Sequence, residues 1–156
     1  MMKYIIRFSL GIFLLTLVTN CEVDDICTET VLTPKLIVKF YDNDTLTLAK
    51  KVTGIYVWAE GKDSLYQNAT ADSLLLPLNN LTNSTKYLLS IDNQIDTLLV
   101  SYDKEDIFVS RSCGYKTHFS LPANPGITQH WITGISMTET PQPVVNQNKA
   151  HVKIHH

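Results

Sequence analysis

The stretch His151-Val152-Lys153-Ile154-His155-His156 holds three imidazoles close together. On an extended strand alternate side chains share a face, so His151, Lys153 and His155 point one way and Val152 and Ile154 the other. Two imidazoles at that spacing can chelate zinc or copper. Lys153 between them repels a cation, so the plainer expectation is a strand with its His face in solvent and Val152 and Ile154 in the core. His118 and His130 stand alone in sequence, with Ser110, Ser112 and Ser120 near His118. A Ser-His-Asp set can be drawn through any chain this rich in Ser and Asp, and only geometry identifies one. There is no Gly-x-Ser-x-Gly elbow and no His-Glu-x-x-His. The acidic stretches Asp42-Asn43-Asp44 and Asp103-Lys104-Glu105-Asp106 lack the glycine and terminal glutamate of a calcium loop and are expected to be ordinary turns. Tyr41, Tyr56, Trp58, Tyr66 and Trp131 can stack on sugars, but aromatics on half-buried strands more often pack as cross-strand pairs. No catalytic residue, metal site or cofactor is expected.

The three cysteines are better placed. Lys3 and Arg7 are followed by a chargeless apolar run from Phe8 to Val18, and then by Thr19-Asn20-Cys21. This is the plan of a secretory signal peptide. Its apolar run falls short of the roughly 20 residues that span a bilayer. Leu17-Val18-Thr19-Asn20-Cys21 resembles a lipobox, with Asn20 standing where Gly, Ala or Ser is usual. That resemblance implies removal of residues 1–20 and a lipid on Cys21. Each buried methylene contributes ~0.8 kcal/mol, and stable anchoring takes two or more chains, as a bacterial lipoprotein carries. Glu22, Asp24 and Asp25 follow directly and are similar to the surface-export signal of Bacteroidota lipoproteins; a solvated acidic tether is the alternative. With Cys21 acylated, Cys27 and Cys113 remain as a pair in an oxidising compartment, and a disulfide between them is expected. It would close a long loop, worth ~4 kcal/mol in the chain-entropy model.

Removing residues 1–20 takes away Lys3 and Arg7 and no carboxylate, so the formal charge moves from −2 to −4. A nucleic-acid surface, which needs a basic domain, is excluded as the natural reading. Beyond the 21–33 tether, residues 34–156 suit one domain with a real core.

The elements that must position these residues read as strands. Residues 35–41 alternate, with Leu36, Val38 and Phe40 on one face. Further strands are predicted at 45–48, with Leu46 and Leu48 inward, and at 54–60. The run 73–78 follows, with Leu74, Leu76 and Leu78 inward and Pro77 marking an edge. The remainder are 85–91, 96–102, 106–111, 115–121, 127–137 and 150–155. Turns are predicted at Asp92-Asn93-Gln94 and Asp103-Lys104-Glu105. The polar, Pro-containing stretch 139–148 reads as a loop. Short strands at hairpin spacing suggest an all-β, antiparallel β-sandwich, immunoglobulin-like, with a small β-barrel as the alternative.

Asp25-Ile26-Cys27-Thr28, Thr33-Pro34-Lys35-Leu36, Phe40-Tyr41-Asp42, Ser112-Cys113-Gly114-Tyr115 and the final His-Val-Lys-Ile together resemble a family of Bacteroidota lipoproteins classed as a domain of unknown function. The resemblance implies the anchor, the paired cysteines and the β fold, and no ligand. The expectation is therefore a non-catalytic lipoprotein on the outer membrane, lipid-anchored through Cys21 and facing the cell exterior. It would act as an accessory subunit docked on an outer-membrane protein complex such as barrel assembly or nutrient uptake machinery. Sheet edges and the 139–148 loop are the surfaces expected to meet that partner. A stand-alone module for a glycan or small ligand is the alternative.

The leader carries the first prediction. Cys21→Ala protein should take up no labelled palmitate and should leave the membrane fraction; a variant that stays membrane-bound, with a wild type that takes up no palmitate, contradicts the lipid anchor.

Overall fold

The computed structural model of the chain describes residues 26–27 and 32–156. The leader, Cys21, Glu22, Asp24 and Asp25 lie outside the described residues. Twelve strands and no helix occur among the described residues. In chain order they are β1 Leu36–Tyr41, β2 Val52–Ala59, β3 Ser64–Ala71, β4 Ser73–Leu76, β5 Ser84–Ile91 and β6 Gln94–Ser101. After these come β7 Asp103–Ser110, β8 Gly114–Leu121, β9 Gly126–Ile127, β10 Gly134–Met137, β11 Gln142–Val144 and β12 Val152–His155.

They form an open five-stranded sheet in the order β3-β2-β5-β6-β9, a four-stranded sheet β10-β12-β1-β4 and a three-stranded sheet β11-β8-β7. None closes into a barrel, and the fold is a β-sandwich. One apolar cluster draws from all three sheets. Leu36, Val38 and Phe40 of β1 are fully buried, as are Leu74 and Leu76 of β4 and Val152 and Ile154 of β12. Val57, Leu89, Leu98 and Val100 of the five-stranded sheet and Leu121 and Val144 of the three-stranded sheet meet them. The period-two runs of the sequence put these residues inside. β4, whose run is ended by Pro77, lies at a sheet edge as predicted.

Local turn chemistry is equally legible. Asp92 and Asn93 adopt φ of 49° and 63°, and the pair Ile91–Gln94 closes the β5–β6 hairpin around them. Asn and Asp are the side-chain-bearing residues that best tolerate this left-handed turn. At the β7–β8 hairpin Ser110 pairs with Gly114, and Gly114 has φ of 73° after a three-residue turn. That is the usual place for a glycine in a three-residue hairpin loop.

The structure departs from the sequence pattern at six places. Residues 45–48 are a turn, and Leu46 and Leu48 are exposed. Asp42 Oδ1 accepts the N–H groups of Asp44 and Thr45 at 2.9 Å each, and Leu48 N–H donates to Thr45 O, so the loop closes on itself. β3, unassigned in the sequence because it is polar, pairs with β2 through repeated register shifts. Asp103-Lys104-Glu105 is strand, not turn, and pairs with Ser120, Phe119 and His118. β7 is an edge, where a solvated acidic run is tolerated. The stretch 127–137 is broken into β9 and β10 by a loop. The 139–148 segment contains β11, with Gln142 and Val144 fully buried, so it is not a free docking loop. Finally, β1 pairs with β12 in parallel (Val38–Val152 through Tyr41–His155), with nearly the whole domain as the crossover.

His151 reinforces that parallel pairing. Its ring Nδ1 accepts the Ile37 N–H at 2.9 Å, and its own N–H donates to Ile37 O. It is buried, contrary to the expected solvent face. Burial lowers its pKa below the ordinary 6.5, and does the same for His156. Their contribution to stability is therefore complete above pH 6.5 and is lost progressively as pH falls below it.

Cys27 and Cys113 form a disulfide, with Cα atoms 4.9 Å apart and a sequence separation of 86. Cys113→Ala should therefore lower stability to urea by ~2–5 kcal/mol. Non-reducing peptide mapping of wild-type protein should recover the linked pair, and free thiol on both cysteines in protein taken directly from the envelope would contradict the bridge.

Candidate functional site

The most constrained polar group is Asp96. Asp96, Leu98 and Val100 alternate on the inward face of β6, and the carboxylate is fully buried. A buried charge is tolerated only with partners. Oδ1 accepts the Thr128 hydroxyl at 2.7 Å and the His130 N–H at 2.9 Å, and lies 2.8 Å from the His130 ring Nδ1. Oδ2 accepts the N–H groups of Trp131 at 2.8 Å and Ile132 at 2.9 Å. Burial on its own would raise the carboxyl pKa. The N–H of Ile132, the Thr128 hydroxyl and the N–H groups of Trp131 and His130 outweigh it and hold the group at about 2. The loop 128–132 is thereby wrapped around one side chain. It sets Ile132 into the core and lays Trp131 against Phe40, with the indole N–H donating to Leu89 O at 3.2 Å.

A second feature lies on the five-stranded sheet. Cross-strand pairs Tyr56–Ser90, Trp58–Leu88, Leu88–Thr97 and Lys86–Leu99 alternate with inward pairs, so Tyr56, Trp58, Leu88 and Leu99 share the outer face. Ile95 joins them opposite Ser90. Tyr56, Ile95 and Leu99 are 44%, 44% and 45% exposed. At one end of this face is a groove of about 630 Å³ between the β2–β3 turn and the loop 77–84, with Leu65, Leu81 and Leu99 among its lining. Its wall is held in place. Tyr87 OH donates to Pro77 O, Tyr102 OH donates to Asn79 O at 2.8 Å, and Lys104 Nζ donates to Asn80 O at 3.0 Å. Burial, with the nearby Tyr102, pushes the Tyr87 phenol pKa well above its ordinary value. Beside Trp58 a shallow hollow is lined by Lys62, Asp63, Ser64 and Gln67.

Most of the other residues singled out in the sequence are taken up structurally, although His118 Nε2 and His155 Nδ1 are buried without a hydrogen-bond partner among the described residues. His151 is spent on Ile37, and the His155 ring packs 6.0 Å from Tyr41, so the chelating pair does not assemble. Among the described residues no group of three or more His, Cys, Asp or Glu comes together to hold a metal. Ser110 Oγ accepts the Cys113 N–H in the β7–β8 turn, and Ser110 and Ser120 lie in a different sheet from Asp96. Asp42 is occupied by Thr45 and Asp44 and by Lys50 at 3.3 Å; the Thr45 and Asp44 N–H bonds, then Lys50, lower its pKa. Asp106 accepts the Thr117 hydroxyl. Tyr66 and Trp131 pack on the core, leaving Tyr56 and Trp58 as the aromatics of the outer face. Sequence reasoning missed Asp96. The available signal was a carboxylate at an inward position of an otherwise apolar alternation, where charge is rare unless paired.

A family model described as Family of unknown function (DUF6452) matches residues 54–156, about two thirds of the chain. The chain belongs to DUF6452. The DUF6452 match takes in most of β2, the Asp96 loop, the outer face, the groove and Cys113; it begins after β1 and Cys27. Neither a curated protein nor a solved structure matches the chain.

The Asp96 geometry has a measurable acid signature. The carboxyl sits at about 2 in the folded chain, against 3.8 ordinarily. Its contribution, about 2 kcal/mol, should be complete above pH ~4 and disappear as pH falls toward ~2. Asp96→Asn should lower stability at neutral pH by about 2–4 kcal/mol, because Asn brings donors to a site built of donors. Urea titrations of both proteins should show the gap closing in acid; a constant gap would refute the account.

Proposed function

We propose that the chain is a non-catalytic lipoprotein of the outer membrane, anchored through lipid on Cys21 and facing the cell exterior. It serves as an accessory subunit docked on an outer-membrane protein complex such as barrel assembly or nutrient uptake machinery. The observation that carries this reading is the outer face of the five-stranded sheet. Its apolar residues Tyr56, Ile95 and Leu99 stand in solvent, backed by Trp58 and Leu88 and continued by a groove with fixed walls. Apolar patches of this kind mark interaction surfaces, and aromatics are the usual anchors. A tether to the membrane raises the local concentration of membrane partners, which favours a membrane protein as the occupant. The sheet edge beside this face is a poor strand acceptor, because β3 is bulged along its length. The face is therefore the docking surface.

The glycan alternative keeps one specific support. Trp58 stands beside Asp63, Ser64 and Gln67, an aromatic with polar neighbours of the kind that binds a sugar ring.

A stable contact should bury on the order of 1,200 Å² or more. Crosslinking in intact cells should capture one outer-membrane protein reproducibly. The paired change Tyr56→Ser, Leu99→Asp should cut capture at least tenfold, about 1.4 kcal/mol, while the urea midpoint stays near that of wild type. Capture unchanged by the pair, or no captured protein together with glycan binding lost in Trp58→Ala, would sink the docking reading.

A further inference from the structure

The tip of the β7–β8 hairpin differs from the rest of that sheet. Phe108 and Tyr115 face each other across the two strands with ring centroids 5.3 Å apart, yet they are 56% and 66% exposed. An aromatic pair of this size is ordinarily buried. The same tip holds the chain's N-terminal tether, because Cys113 in the turn is bonded to Cys27. Cys21 precedes Cys27 by six residues, and six residues of extended chain reach about 20 Å at most. Tyr115 follows Cys113 by two residues, about 7 Å along the strand. A lipid on Cys21 therefore keeps the aromatic pair close to the bilayer, whatever the rest of the domain does.

Around this pair the charges are mixed: Asp106, two residues before Phe108, shares its face and accepts the Thr117 hydroxyl, whereas Lys116, paired with Ile107, points to the opposite face of the hairpin. Ile26, next to Cys27, and Leu32 are also exposed. Exposed aromatic residues with apolar neighbours suit the headgroup region.

We propose that this tip is a bilayer-contact surface, with Phe108 and Tyr115 resting in the headgroup region of the membrane that carries the Cys21 lipid. The inference rests on the lipid-anchor reading. The disulfide then has a mechanical role: it fixes which end of the sandwich faces the membrane.

The test uses the full lipidated protein in vesicles of phosphatidylethanolamine and phosphatidylglycerol, with and without brominated acyl chains. Phe108→Trp adds a reporter to the wild-type tryptophan signal. Bromine should quench the added emission, and the quenching should be lost when Cys113→Ala is combined with Phe108→Trp. Phe108→Ser, Tyr115→Ser should keep the circular dichroism of wild type and remain vesicle-bound through its lipid, while the tip becomes open to protease. Unquenched emission from acylated, vesicle-bound protein overturns the proposal and leaves the pair to a protein partner. Absence of an acyl chain by mass spectrometry is the separate failure of the anchor reading, and it overturns the proposal with it.

Discussion

One buried carboxylate sets the path of the chain between two sheets. Asp96 lies on the inner face of the five-stranded sheet, and the loop it binds leads from β9 in that sheet to β10 in the four-stranded one. A loop crossing the open side of a sandwich carries backbone N–H groups into low dielectric, where each needs an acceptor. The carboxylate supplies both oxygens to the N–H groups of His130, Trp131 and Ile132 at once. The charge and the orphan donors each cancel the other's desolvation cost, and neither would be stable there alone. Trp131 is placed as a consequence and bridges Phe40 of β1 to the Leu89 carbonyl of β5.

The two ends of the described chain are treated alike. β12 returns to lie parallel beside β1, and His151 supplies an acceptor and a donor to Ile37. Cys27 is bonded to the β7–β8 turn, and Thr33 Oγ1 accepts the Thr117 N–H further along β8. The segment before β1 is thus attached at two points to one hairpin. For a domain proposed to hang from a lipid on Cys21, those attachments favour a defined orientation, since Cys27 follows Cys21 by only six positions. Orientation matters to the proposed docking: a face on the five-stranded sheet meets a membrane partner only if the sandwich stands in a fixed attitude.

The polar side chains that looked chemical in the sequence are mostly structural acceptors. Asp42 caps its own turn, Ser110 closes the disulfide hairpin, and His151 replaces a ladder partner at the start of β1. Each satisfies a backbone donor that the irregular strand ends would otherwise leave unpaired. Among the described residues the ring nitrogens His118 Nε2, His155 Nδ1 and His156 Nε2 are buried without a hydrogen-bond partner, and two apolar groups stay exposed: the outer face with Tyr56, Ile95 and Leu99, and the Phe108–Tyr115 pair. Membership of DUF6452 names no activity, and the exposed apolar surfaces are what support the proposed docking reading.

The sequence by itself determined the β class, most strand positions, the inward residues Leu36, Val38, Phe40, Leu74 and Leu76, the Asp92-Asn93 turn and the Cys27–Cys113 pair. These follow from local rules: period-two burial, turn residues that tolerate positive φ, and the pair of cysteines that remains once Cys21 is set aside as the expected lipid site. Tertiary structure alone decided the parallel β1–β12 pairing, the pairing of polar β3 and acidic β7, the capture of Gln142–Val144 as a strand, and the break of 127–137 into two strands around Asp96. The parallel pairing, the β11 strand and the Asp96 loop take their hydrogen bonds from partners distant in sequence, whereas β3 and β7 take theirs from the adjacent strand of a hairpin, against a polar or acidic pattern. Period and propensity describe how a segment buries its own side chains; they hold no record of which remote backbone or carboxylate will satisfy its N–H and C=O groups.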